Sequence, residues 1–183
     1  LWLEECGLDP QSASTILCTA FSRGDVQGRK VVDLGSGTGI LSIGAALLGA
    51  RCVVGVEIDR DSIRTALDNM NSSDVKVDFV CGSIACVRGF FDTTIMNPPF
   101  GSWRRGLDIE FLDKALMISR VIYSVHKASD KSDIFLRKKI AAREGEITKL
   151  GYIVITLPRV YDFHRKIKYK VKAGFYRIER KPN

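Results

Sequence analysis

Residues Asp33–Gly39 read DLGSGTG, and what flanks them decides the fold. Before them stands Lys30-Val31-Val32, a short apolar run; after them comes ILSIGAALLGA, Ile40–Ala50. β-Branched residues running into glycines, followed by an apolar stretch of helical length, make a strand–loop–helix unit. The alternation repeats outward. CVVGVEI (52–58) is nearly all apolar, the pattern of a strand covered on both faces. DRDSIRTALDNM (59–70) reads as a helix with acids in its first turn, where they suit the helix dipole. VKVDFVCG (75–82) and FDTTIMN (91–97) read as a third and a fourth strand. DIEFLDKALMIS (108–119) reads as a helix with Phe111, Leu112, Ala115 and Leu116 on one face. RVIYSVHK (120–127) reads as a fifth strand, and SDKSDIFLRKKIAAREG (129–145) as a helix ending at Gly145. YIVITLPRV (152–160) and YKVKAGFYRIER (169–180) read as antiparallel neighbours. Upstream, LDPQSASTILCTAF (8–21) enters a helix, with Asp9 as cap and Pro10 in the first turn. The expected fold is α/β: a Rossmann-like, doubly wound sheet of seven strands, mostly parallel, with an antiparallel C-terminal strand. One domain spanning 1–183 is expected.

Composition narrows the class. The chain has 183 residues and is 45% hydrophobic, enough for a full core. Its longest nearly apolar stretch, Ile40–Ala50, is too short to cross a bilayer and is followed by Arg51, so no membrane partner is expected. No secretory signal is read at the N-terminus. Five cysteines (6, 18, 52, 81 and 86) include no CxxC pair. Neither a disulfide framework nor a metal site is expected, and the cytoplasm is the expected compartment, with the nucleus as alternative for a eukaryotic chain. The net charge of +7 is concentrated: residues 159–183 hold nine Lys/Arg against Asp162 and Glu179, and the rest is neutral. A basic C-terminal segment on a neutral body suits a polyanion. It equally suits a lysine-rich edge strand that resists aggregation.

In doubly wound sheets ligands bind beyond the carboxyl ends of the strands. The loop after the first strand carries Gly35, Gly37 and Gly39, spaced G-x-G-x-G. A dinucleotide fingerprint would require glycine where Ile40 stands, which disfavours a nicotinamide cofactor. Asp33 at the loop entrance is awkward beside a pyrophosphate and favourable beside a cation. Glu57 ends the second strand, 22 residues after Gly35, where a carboxylate can accept both ribose hydroxyls. Ile58 beside it can lie against an adenine ring. A cationic cofactor with an adenosine end is S-adenosylmethionine.

IMNPPFG, Ile95–Gly101, stops the fourth strand on the same edge. An exocyclic amine is a poor nucleophile because its lone pair is delocalised into the ring. Two acceptors on its hydrogens, the Asn97 amide oxygen and the Pro98 carbonyl, would hold it and free the lone pair. Pro98 and Pro99 fix the backbone, so little reorganisation is needed. Phe100 can stack on the base, and Trp103 either on a flanking base or on the core. The alternative is a rigid Asn-Pro turn. His126 and His164 are possible bases, but the amine becomes acidic once methylated and needs no strong base.

DLGSGTG, VEID and NPPFG in this order resemble the amino-group adenine methyltransferases. LSIGAALLGA, IMNPPFG, LDIEFLDKAL, VIYSVHK and LPRVYDFHRK make the chain similar, over nearly its whole length, to the methyltransferase-like protein five family. That resemblance implies a class I methyltransferase fold and transfer of methyl from S-adenosylmethionine to an adenosine N6 in small-subunit rRNA. It implies that Asp33, Gly35, Gly37 and Glu57 hold the cofactor, beside which Gly39, Ile58 and Ser83 are also expected to bind it, and that Asn97, Pro98, Pro99 and Phe100 hold the adenine. His164, Arg165, Lys166 and Lys168 would touch RNA phosphates. A small zinc-binding adaptor protein would pair with the third strand, near Val75–Val80. Two positions depart from the family: LEECGL (3–8) replaces an aromatic and a threonine, and Ser83 replaces an acid that bonds the cofactor's adenine amine. The same Asn-Pro-Pro pocket could serve a protein glutamine amide or a DNA adenine. An RNA-binding assembly subunit without methyl chemistry is a third reading.

Overall fold

The computed structural model describes residues 8–99, 106–158 and 168–181. In chain order the elements are α1 (Pro10–Ser22), β1 (Lys30–Leu34), α2 (Ile40–Leu47), β2 (Cys52–Glu57), α3 (Arg60–Asn71) and β3 (Asp78–Cys81). A short 3-10 turn, Ile84–Cys86, precedes β4 (Phe91–Met96), α4 (Leu107–Ile118), β5 (Ser119–Lys127), α5 (Asp130–Ala141), β6 (Gly145–Pro158) and β7 (Lys168–Arg180). The strands form one sheet in the order β3-β2-β1-β4-β5-β7-β6. β7 runs antiparallel to both neighbours, and the pairs from β3 through β5 are parallel. The expected mostly parallel sheet with an antiparallel C-terminal strand is the one found, and that strand is inserted inside the sheet.

Local chemistry accounts for the helices. The Asp9 carboxylate accepts from the Ser12 N–H at 3.0 Å and starts α1, with Pro10 in the first turn. Asp59 does the same for α3 through Ser62. The sheet is covered on both faces. One apolar cluster joins α1 and α2 to Val31, Val53, Ile95, Val125, Ile153 and Phe175. The other joins α4 and α5 to Val32, Leu34, Met96, Ile122, Tyr176 and Ile178. Phe111, Leu112, Ala115 and Leu116 all lie in the second, as their helical spacing predicts.

Three boundaries differ from expectation. α5 stops at Ala141, and Gly145 opens β6 instead of closing the helix. A Cβ on Gly145 would lie 2.8 Å from Ile140 Cγ2, so glycine is required where the chain turns back against α5. β6 therefore begins seven residues before the alternation at Tyr152 becomes visible, with a bulge between Ile147 and Lys149. β3 is shorter than expected, four residues from Asp78.

One charged cluster crosses the core. The Arg177 guanidinium on β7 donates to both Asp25 carboxylate oxygens, at 2.8 and 3.2 Å, and to Glu179 and Thr148. Tyr123 Oη adds a third bond to Asp25, and the Asp25 carbonyl accepts from Thr93. Asp25 and Arg177 are both buried. Arg177, counted above with the basic C-terminal segment, is thus paired inside the protein and is no part of a surface for polyanions. Replacing it strands a buried carboxylate: Arg177→Ala should lower the unfolding free energy by about 3–5 kcal/mol in urea titrations. An Arg177→Met/Asp25→Leu double variant, which removes both charges, should recover most of that loss.

Candidate active site

Leu34, the last residue of β1, pairs with Val56 on one side and Met96 on the other. Three strands therefore end together, and the segments that leave them meet at one edge. Gly35 and Ser36 donate their N–H groups to the Val56 carbonyl at 2.8 and 3.0 Å, folding the loop back over β2. Gly35 and Gly39 have φ of 72° and 85°. A Cβ on Gly35 would lie 2.9 Å from the Phe111 ring, and one on Gly39 would lie 2.8 Å from Phe79. These glycines allow both the backbone conformation and the close packing under it. Gly39 caps α2 with no side-chain acceptor, so the first N–H groups of that helix are left for other partners.

The two acids differ sharply. Asp33 is 1% exposed; its Oδ2 accepts from Ser42 Oγ at 2.6 Å. Its Oδ1 has no hydrogen-bond partner among the described residues. Burial pushes its carboxyl up to about 7; the Ser42 bond opposes the shift and the Glu57 charge adds to it. Glu57 is half-buried and held by three backbone N–H groups, Gly37 on Oε2 and Ile58 and Asp59 on Oε1. It thereby ties the glycine loop to the end of β2 as well as offering a carboxylate there. Ile58 next to it is 66% exposed, unusual for an isoleucine at a sheet edge. Gly82 N–H donates to the Glu57 carbonyl at 2.7 Å, which brings the chain after β3 alongside. Ser83 there is exposed, and its hydroxyl accepts from the Ala85 N–H. Its hydroxyl proton and second lone pair can serve another group.

Asn97 follows Met96 directly and so stands next to the segment that opens with Gly35. Asn97 is half-buried, Pro98 buried and Pro99 half-buried. Phe100 and Trp103 lie outside the described residues, as do His164, Arg165, Lys166 and residues 3–7. Lys168 opens β7 opposite Pro158.

Ser42 and Asp108 were missed as parts of the site. Ser42 is the one hydroxyl in the apolar run ILSIGAALL, and that was its only signal. Asp108, in the first turn of α4, places its carboxylate 3.6 Å from Nδ1 of the buried His126; Nε2 of the same ring is 2.8 Å from Ser124 Oγ. The His126 ring beside it holds the Asp108 carboxyl below its usual range against the opposing effect of burial. The pair links the end of β5 to α4, and α4 begins where the segment after Pro99 ends. His126 is thus hydrogen-bonded through Nε2, while Nδ1 faces the Asp108 carboxylate beyond hydrogen-bond distance.

Comparison with known proteins agrees with this geometry. A family model, ribosomal protein L11 methyltransferase (PrmA), matches residues 12–97, from α1 to Asn97. The rRNA N(6)-adenosine-methyltransferase METTL5 of Danio rerio is 35% identical over 96% of this chain and 88% of its own length. Mettl5 of Drosophila melanogaster is 36% identical over 85% of this chain and 76% of its own. A Pyrococcus horikoshii protein, PH1948, crystallised as a candidate RNA methyltransferase, superposes with a TM-score of 0.87 at 37% identity, covering 92% of this chain and 83% of that one. With identity of this level over 85–96% of its length, the chain belongs to the METTL5 family of methyltransferases.

Proposed function

We propose that the protein methylates the N6 amine of an adenosine in small-subunit ribosomal RNA, using S-adenosylmethionine. One observation carries this reading: Asn97-Pro98-Pro99 leaves β4 beside the glycine loop of β1 and the carboxylate that ends β2. The residues fit the cofactor. A buried carboxylate oxygen without a partner among the described residues suits a cationic ligand, and the exposed Ile58 offers an apolar face for a ring. Glu57 can accept from ribose hydroxyls, and Ser83 can bond an adenine amine. S-adenosylmethionine supplies the methyl group when bound.

The protein's own contribution is to hold the amine. The Asn97 side-chain oxygen accepts one amine hydrogen and the Pro98 carbonyl the other, which turns the nitrogen lone pair out of conjugation. Pro98 is buried and both prolines have a fixed φ, so the acceptors are in place before the base arrives. Phe100 stacks on the ring, and the base enters unpaired or flipped out. The methylated amine is acidic and releases its proton to water. The proposal includes the basic residues His164, Arg165, Lys166 and Lys168 as phosphate contacts. It also includes a small zinc-binding adaptor on β3, supported by the position of β3 at the sheet edge and by Val80, 47% exposed there. The cytoplasm is the proposed compartment.

Two measurements test this reading. Asn97→Ala should leave S-adenosylmethionine affinity unchanged by calorimetry and lower kcat by on the order of 10²–10³. The assay is labelled methyl transfer to small-subunit rRNA lacking the modification, with a DNA oligonucleotide and a release factor as parallel substrates. Transfer to either of those in preference to rRNA would overturn the assignment. The second measurement concerns Asp33. Its folded value lies above its unfolded one, so its contribution to stability is complete below about 3.8 and is lost as pH rises through about 7. A bound cation favours the carboxylate, so binding at pH 6 should release close to one proton, falling toward zero by pH 8. Affinity should rise about fivefold from pH 6 to pH 7, and Asp33→Asn should flatten the profile. Calorimetry in buffers of different ionisation heat reads the proton count directly.

A further inference from the structure

The last β5–β7 pair is Lys127 with Ala173, but β6 and β7 continue pairing for five more steps, from Val154↔Lys172 to Pro158↔Lys168. The two strands therefore form an arm reaching about 16 Å past the end of β5, on the edge where Asn97 and the glycine loop lie. Its two faces differ. Ile153, Ile155 and Ala173 pack into the cluster under α1 and α2. Alternation turns Tyr152, Val154 and Lys172 to the α4/α5 side, the same side as Tyr176 and Ile178. There Tyr152 and Val154 are each 53% exposed, and Lys172 is exposed with its Nζ 4.0 Å from the centre of the Tyr152 ring. Lys172 makes no ion pair among the described residues.

The neighbouring surface has the same character. α5 exposes Lys131, Ile134, Phe135, Arg137 and Lys138, and Arg137 and Tyr152 both act electrostatically on the Tyr176 hydroxyl, which is bonded to Asp133. None of Lys131, Arg137 and Lys138 is paired with an acid among the described residues. Exposed aromatic and aliphatic groups beside unpaired cations match a ligand with flat apolar faces joined by negative charges. Unpaired RNA has that chemistry: bases stack on aromatic rings and phosphates take the cations. A duplex hides its base faces and would leave Tyr152 without a partner. Three strand spacings, about 14 Å, separate the strand of Asn97 from that of Tyr152, a gap that a few unpaired nucleotides bridge.

We propose that the α4/α5-side face at the root of the β6–β7 arm, formed by Tyr152, Val154 and Lys172, docks unpaired RNA flanking the target adenosine. Tyr152 stacks on a base, and Lys172 turns from the ring to a phosphate. Its lysine–ring contact, exposed to water, is weaker than the stacking that replaces it. This rests on the reading of RNA as substrate.

The test is fluorescence anisotropy of the full chain with a labelled single-stranded RNA spanning the methylated site, over a series of salt concentrations. Tyr152→Ala should weaken binding by about 5- to 150-fold, and Tyr152→Phe should restore it. Lys172→Ala should weaken binding and lower the magnitude of the salt slope by about 0.7. In methylation assays both variants should raise KM for RNA and leave kcat and S-adenosylmethionine affinity unchanged. Asn97→Ala separates the two ideas: it should lower kcat by on the order of 10²–10³ while keeping the Tyr152- and Lys172-dependent part of RNA binding, read as an unchanged salt slope. If wild type binds RNA through Tyr152 yet produces no N6-methyladenosine, the docking face stands and the assigned reaction falls. If Tyr152→Ala and Lys172→Ala both bind RNA like wild type, with cofactor affinity intact, the docking face is overturned, and a loss of protein-partner binding alone would overturn it equally.

Discussion

Leu34 hydrogen-bonds into a sheet position flanked by Val56 and Met96, and this double pairing is the constraint on which the rest of the molecule depends. Because β1 lies inside a parallel sheet, its register with both neighbours is fixed by buried apolar residues on each face. A slip of one residue would turn Val31 and Val32 to the wrong clusters. The same register fixes where three strands stop. The glycine loop, Glu57 and Asn97 are adjacent because the core permits no other alignment, so site and core share one specification.

Two buried carboxylates show how the protein separates structure from chemistry. Asp25 faces a bidentate guanidinium and a phenol, and nearly all its capacity is used. Asp33 has one hydroxyl partner and a like charge nearby. Two buried carboxyls thus differ in their partners: Asp25 is bonded by a guanidinium and a phenol, and Asp33 is raised to about 7 with one hydroxyl bond. A group left short of partners in a native interior is costly unless something else completes it. Under the proposed function the cofactor's cationic group would complete Asp33.

Much of this was legible in the sequence. Asp9-Pro10, the glycines after Val31-Val32, the apolar second strand and the Asn-Pro-Pro stop are local signals, and local chemistry decides them. The i, i+4 stripe from Phe111 to Leu116 predicted its own burial. What was not legible is long-range. Nothing near Arg177 in the chain records Asp25, 152 residues away, so a core cation was read as part of a basic segment. Asp108 and His126 pair across a helix and a strand, and no spacing rule links them. The start of β6 was hidden because Gly145 and the bulge at Ile147/Lys149 break the alternation that marks a strand. The basic composition of the C-terminal segment pointed to a polyanion, but only the strand order separates its buried cation from its exposed face.

The position of β7 also bears on how the chain is made. Among the described residues β6 pairs with β7 alone, and β7 is synthesised after it. While the ribosome is still adding β7, the first five strands can already assemble with α1–α4, but β6 hangs without hydrogen-bond partners and β5 presents an open edge. Asp25 and Tyr123 likewise lack their arginine at that stage. The nascent chain therefore carries an unpaired fourteen-residue strand and an acid without its arginine until β7 inserts between two waiting edges. A chain stalled before β7 pairs would present to chaperones and to other nascent chains the β5 edge and the β6 edge that β7 covers in the folded sheet.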